Sequence, residues 1–244
     1  MINITLSVIF KFIVDAPTLK KARRKAGFTQ KRLARALGCS QPYLSLMEHG
    51  KRVVPGAMER KLVRLLELPA TCLPLESKSV RRASVDEWAR RKLGELGYPG
   101  FRYLAKSLRP SLNPADVLLQ VLASERCDPR LVEAMPWLLL RFPDLDRRVL
   151  VAEARQRNVQ NRLGFVVALA TEAALSTPQR SDRLRKLNKL GEALETFRLA
   201  REDDLGQGFK SARFREHLRE NRVDAAAHWN VLTDLAPRHL SHVG

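Results

Sequence analysis

Cysteine is scarce in this chain. Cys39, Cys72 and Cys127 stand apart among 244 residues with no CxxC pairing. An odd, scattered set neither builds a disulfide framework nor offers the paired thiolates of a structural zinc site. Aromatic residues are also few, at 6%. The short signatures of common chemistries are missing: there is no GxxxxGKS/T phosphate loop, no HExxH, no GxSxG, and no GxGxxG between a strand and a helix. The histidines and carboxylates are dispersed, whereas a catalytic site gathers titratable groups. The expectation is a protein with no enzymatic activity, cofactor or metal. His239 and His242 have a spacing a metal could use, but without third and fourth ligands they read as a polar tail. No apolar run is long enough to span a bilayer. The amino-terminal apolar segment lacks the preceding positive charge and following small-residue cleavage site of a secretory signal. No helix pairs a strongly apolar face with flanking Trp or Phe, as a membrane-surface binder would. A reducing cytoplasm is therefore expected, with no membrane partner.

What the chain has in abundance is positive charge. It carries 44 Lys and Arg against 26 Asp and Glu, a formal charge of +18. Residues 1–75 hold 14 basic and 4 acidic side chains, so +10 of that charge lies in under a third of the length. Such an excess favours a polyanionic partner, and nucleic acid is the natural one.

The most informative stretch is TQKRLARALGCSQPYLSLMEHG, Thr29 to Gly50. Thr29 can cap a helix of about Gln30–Leu37, because its side-chain oxygen accepts an otherwise unpartnered N–H of the first turn. Leu33, Ala34 and Leu37 share one apolar face, with Lys31, Arg32 and Arg35 elsewhere. Gly38 suits the left-handed backbone at a helix end. Ser40 can cap a second helix, with Pro42 in its first turn, where a missing N–H costs nothing. Leu44 and Met47 point inward, leaving Gln41, Tyr43, Ser45 and Leu46 outward. Helices this short need a third element to pack on. A preceding helix, starting near Pro17 or Thr18, supplies Leu19, Ala22 and Ala26 and ends at Gly27. A following helix, about 56–68, buries Met58, Leu62, Leu65 and Leu66 and stops before Pro69.

With Gln30, Ala34, Gly38, Leu44 and Met47 at these positions, the segment 19–68 resembles the helix-turn-helix family of phage repressors and Cro, the XRE family. The resemblance implies a lambda-repressor-like domain whose second helix, 40–49, lies in the DNA major groove while the first crosses the backbone. It places Ser40, Gln41, Pro42, Tyr43, Ser45 and Leu46 toward the bases. Gln41 is the candidate reader of adenine, and Leu46, where family members often carry a polar or basic residue, is left with a thymine methyl or nothing. Gln30, Lys20, Arg23, Arg24, Lys31, Lys51 and Arg52 are the implied phosphate contacts. The expected function is a sequence-specific transcriptional regulator, a dimeric repressor, because one such domain touches only a few base pairs. Regulators of this layout also resemble antitoxins of toxin–antitoxin pairs. That alternative adds a toxin partner, of the nucleotidyltransferase type, bound by the carboxy-terminal domain.

The rest of the chain predicts a mainly α protein in four parts. Residues 1–16 alternate apolar Ile2, Ile4, Leu6, Val8, Phe10, Phe12 and Val14 with polar neighbours, which reads as a short strand; an extension ahead of the domain stays open as the alternative. Residues 17–69 form the DNA-binding domain, 70–84 a linker, and 85–244 a helical array that dimerises or binds a partner. Asn113-Pro114 and Asp128-Pro129 open helices, Pro136 implies a kink or break, and Pro143-Asp144 opens another helix through about Arg157. Asn158 or Asn161 leads into the next. The apolar runs VLLQVLA, WLLL and GFVVALA read as core. A helix of about 181–201 carries Leu184, Leu187, Leu190, Leu194 and Phe197 in a stripe that suits either the chain's own core or a dimer seam. Gly206 to Gly208 break it, and helices at 211–220 and 223–235 close the chain.

Overall fold

The computed structural model describes residues 16–75, 85–107, 111–126, 128–175, 180–205, 211–240 and 242. The chain divides into two compact units, Met1–Glu76 and Ser77–Gly244. The alternating segment 1–14, most of the expected linker, Cys127 and the Gly206–Gly208 break lie outside the described residues.

Among its described residues the first unit contains four α-helices: α1 (Ala16–Lys25), α2 (Gln30–Leu37), α3 (Gln41–Glu48) and α4 (Gly56–Leu65). Each central helix starts on the expected side chain. Thr29 Oγ1 accepts the Arg32 N–H at 3.1 Å, and Ser40 Oγ accepts that of Tyr43 at 3.3 Å. Between them Gly38 adopts φ +75°, a left-handed conformation that costs residues with a Cβ about 1 kcal/mol or more. Leu19, Ala22, Leu33, Ala34, Leu37, Leu44, Met47, Val54, Leu62 and Leu66 form one core. Burial of each leucine there contributes on the order of 2 kcal/mol. Ala26 does not join the stripe: α1 stops at Lys25, and Ala26 is exposed ahead of Gly27 at φ +69°. The expected linker also begins later than residue 70. Ala70–Cys72 forms a 3-10 turn, and Ala70 and Leu73 are both buried. A period of three brings i and i+3 to one side, so a helical or strand period missed it.

The second unit is built from α5 (Val85–Glu95), α6 (Pro114–Ala123), α7 (Pro129–Arg141), α8 (Arg147–Gln156), α9 (Gln160–Leu175), α10 (Arg180–Glu195), α11 (Ala212–Asn221) and α12 (Asp224–His228). Two short strands, β1 (Asp203–Asp204) and β2 (Val231–Leu232), pair in parallel. Every residue of α6 from Pro114 to Leu122 is buried, Asp116 and Gln120 among them, as befits a helix enclosed by others on all sides. Asn113, Asp128 and Ser211 each cap the helix that follows them. The stripe on α10 belongs to the unit's own core: α10 packs on α9, with Leu187, Leu190 and Leu194 buried.

Several expectations change here. Of the kink or break expected at Pro136, the break does not occur: α7 runs on through it. The cap of α8 is Asp146, accepting from the N–H groups of Arg148 and Val149, while Asp144 pairs with Lys186. Asn161 lies inside α9, fully buried, with its amide exchanging hydrogen bonds with the backbone of Leu199. Helix α10 ends at Glu195, and residues 223–235 are not one helix: Asn230 turns left-handed at φ +51° and releases β2. The β-branched residues after Asn230 favour extended backbone, and pairing with β1 supplies the hydrogen bonds a helix would have.

Candidate nucleic-acid interface

Helix α3 splits cleanly along its length. Leu44, Met47 and Glu48 are buried; Gln41, Pro42, Leu46 and the capping His49 are exposed, and Ser45 is half-buried. At 100° per residue, Gln41, Ser45, His49, Pro42 and Leu46 occupy one continuous arc of about 140°. Tyr43 falls outside it and is half-buried against the core, so its ring does not belong to the outward set. Ser40 is exposed ahead of the helix, its hydroxyl holding the Tyr43 N–H. His49 Nδ1 lies 2.7 Å from the Ser45 carbonyl oxygen. A carbonyl only accepts, so Nδ1 carries the proton and Nε2 is the free ring atom.

A buried ionic brace holds α3 in place. The Arg23 guanidinium on α1 donates to both carboxylate oxygens of Glu48 and, through Nη1, to the Phe28 carbonyl at 2.7 Å. Gln30 Nε2 on α2 donates to Glu48 Oε2 at 2.8 Å. One carboxylate thus ties together the first three helices. Burial by itself pushes the Glu48 carboxyl up, but hydrogen bonds from Arg23 and Gln30 and the charges of Arg23 and Lys20 outweigh it and hold the group below its ordinary value.

This brace changes two roles. Arg23 is buried, so it is withdrawn from the phosphate-facing set and serves the fold. Gln30 spends an amide N–H inside the domain, although its side chain is half-exposed. Glu48 had no place among the expected functional residues. Its signal was available: it is one of only four acidic side chains in residues 1–75, and it sits on the helix meant to face DNA. A carboxylate there must be neutralised or turned inward.

The remaining cations stay outside. Arg24, Lys31, Lys51 and Arg52 are exposed, and Lys20 is half-buried. Lys51 and Arg52 lie in the turn after α3, where both backbone N–H groups bond the Leu46 carbonyl, at 2.9 and 3.2 Å. The backbone of this turn is therefore fastened to the last turn of α3. Arg32 stacks its guanidinium 5.1 Å from the Phe28 ring centre on the exposed side of α2. Cys39 packs against the core, and burial pushes its thiol up, so it is a structural residue rather than a reactive one.

Among the described residues no three His, Cys, Asp or Glu gather to hold a metal, and no helix is long and apolar enough to cross a membrane. His239 Nδ1 accepts the Ala236 N–H at 3.2 Å, and the His242 ring stands edge-on to Tyr98. The two histidines are thus engaged separately.

Residues 16–73 match a family model described as a helix-turn-helix domain. No curated protein and no solved structure matches the chain. The matched residues span α1 to the 3-10 turn at Ala70–Cys72 and contain the whole exposed arc of α3. The amino-terminal unit is an XRE-type helix-turn-helix domain, the mark of a DNA-binding regulator.

Proposed function

We propose that the chain is a sequence-specific transcriptional regulator that represses from an operator as a dimer, with no catalytic activity of its own. The observation that carries this reading is the division of α3: an exposed arc free of lysine and arginine, suited to base edges, in a unit where Arg24, Lys31, Lys51 and Arg52 are exposed as well, suited to phosphates. Dimerisation is the geometric complement of a short reading helix, because two such helices related by a twofold axis read half-sites one helical turn apart. The test is a titration of fluorescent duplex DNA with the full chain at several salt concentrations. The logarithm of the affinity should fall linearly with the logarithm of salt, and Lys51→Ala with Arg52→Ala should reduce the slope by roughly 0.9 for each phosphate they cease to neutralise. Salt-insensitive binding, or a slope unchanged by that pair, contradicts the proposal.

A second reading is favoured by the surface of the other unit, where Tyr103, Leu104 and Leu175 are 79, 37 and 55% exposed. Contiguous apolar surface left in water marks docking sites for other proteins, and Tyr103 and Leu104 are adjacent in the chain. On this reading the domain of residues 85–244 holds a partner, and the chain is the antitoxin of a pair whose toxin is of the nucleotidyltransferase type. Co-expression with the product of an adjoining reading frame should give a complex and rescue growth; the absence of both would remove the antitoxin role.

A further inference from the structure

The exposed arc of α3 carries no lysine or arginine. Gln41, Pro42, Ser45, Leu46 and His49 are its members, and the next cations along the chain, exposed Lys51 and Arg52, lie beyond the helix in the following turn. The commonest direct reading of guanine is a bidentate contact from Arg or Lys to O6 and N7, both of them acceptors. His49 does not replace it in its neutral form, because its proton is committed to the Ser45 carbonyl and Nε2 can only accept. Gln41, by contrast, opens the helix, exposed at the end that approaches base edges, with the donor and acceptor that match adenine N7 and N6. Pro42 and Leu46 stand one helical turn apart, at i and i+4, and both are exposed. They make an apolar ridge beside Gln41. The Leu46 backbone is pinned by two N–H groups from the following turn, so the ridge is fixed in position. The major groove offers one apolar group to such a ridge, the 5-methyl of thymine.

Resting on the DNA-binding reading above, we propose that α3 selects A·T pairs in each half-site, Gln41 pairing with adenine and the Pro42–Leu46 ridge covering a thymine methyl. The experiment uses the full chain to enrich duplexes from a library with a random core, then replaces single bases in the enriched duplex. Deoxyuridine in place of one thymidine removes only the methyl and should weaken binding about fourfold, the value of one buried methyl-sized group. Leu46→Ala, a change at an exposed site that leaves the core intact, should narrow the difference between the thymidine and deoxyuridine duplexes. 7-Deazaadenine at one position should weaken the wild type and leave Gln41→Ala indifferent. An enriched core in which every thymidine is replaceable by deoxyuridine without loss, or in which 7-deazaguanine alone weakens binding, overturns the selection of A·T pairs but leaves DNA recognition standing. Failure to enrich any sequence removes both.

Discussion

Arg23 and Glu48, 25 residues apart in sequence, form a buried ion pair with Nε 2.5 Å from Oε1 and Nη2 3.2 Å from Oε2. The carboxylate side chain has no exposed surface, and the guanidinium keeps 10% of its own. Removing one partner of such a pair strands a charge, which costs about 3 to 5 kcal/mol, whereas replacing both with apolar groups of similar volume is close to neutral. Arg23→Ala should therefore destabilise the helix-turn-helix unit by about 3 kcal/mol, with Arg23→Met and Glu48→Leu together recovering most of it. Hydrogen exchange of the α1 and α3 amides in the full chain measures both. Equal exchange in the single and double variants would show that the pair does not brace α3.

The same carboxylate gives the unit a pH dependence with a definite sign. Glu48 is held below its ordinary value, so its contribution is complete above the unfolded-state value of about 4.3 and is lost as pH falls from there through the folded value. Glu59, in the first turn of α4, behaves oppositely: burial pushes its carboxyl up, so the folded form takes a proton before the unfolded form does. Its contribution becomes more favourable as pH falls through the raised value toward about 4.3. Glu48→Gln should flatten the acid loss, and Glu59→Gln should raise the unfolding midpoint at pH 7. Thermal melts of the two variants from pH 7 to pH 3 check both signs, and a common shift in either variant at all pH values would refute them.

In the second unit, Gly164 on α9 lies directly under the Trp229 ring. A Cβ at this position would come within 2.4 Å of three ring carbons. Trp229 precedes β2, so the close approach seats the β1–β2 pairing on the helix. Gly164→Ala should expel the indole, red-shift its fluorescence, and destabilise the unit by roughly 1 to 3 kcal/mol through overpacking. Unchanged emission and stability would mean that the close approach is not structural. DNA binding, which rests on the other unit, should survive.

Features held by neighbouring residues were legible in the sequence, and features held by distant ones were not. The caps at Thr29, Ser40, Asn113, Asp128 and Ser211 reach two or three residues along the chain, and residue types at adjacent positions announce them. The same holds for the Leu44 and Met47 stripe that sets which side of α3 is exposed. The Arg23–Glu48 brace, the Asn161 bonds to Leu199 and the pairing of Asp203 with Val231 each join segments 25 or more residues apart. No local period encodes them. Arg23 reads as one more surface cation in a run of five, and only the position of Glu48 across the domain turns it inward. Pro136 shows the converse: a strong local signal for a break is overridden because Leu131, Ala134, Met135, Leu138 and Leu139 around it are buried in the unit's core.

The central claim is that the exposed arc of α3 supplies sequence preference while the cations around it supply sequence-independent attraction. The direct measurement compares binding of an enriched duplex and its scrambled counterpart by wild-type chain and by a Gln41→Ala, Leu46→Ala variant at one salt concentration. Each specific base contact is worth roughly 1 to 3 kcal/mol of discrimination. The account predicts that the variant binds scrambled DNA as tightly as the wild type does and gives up at least tenfold of its preference for the enriched duplex. A variant that keeps the preference, or that binds both duplexes more weakly by the same factor, would contradict it.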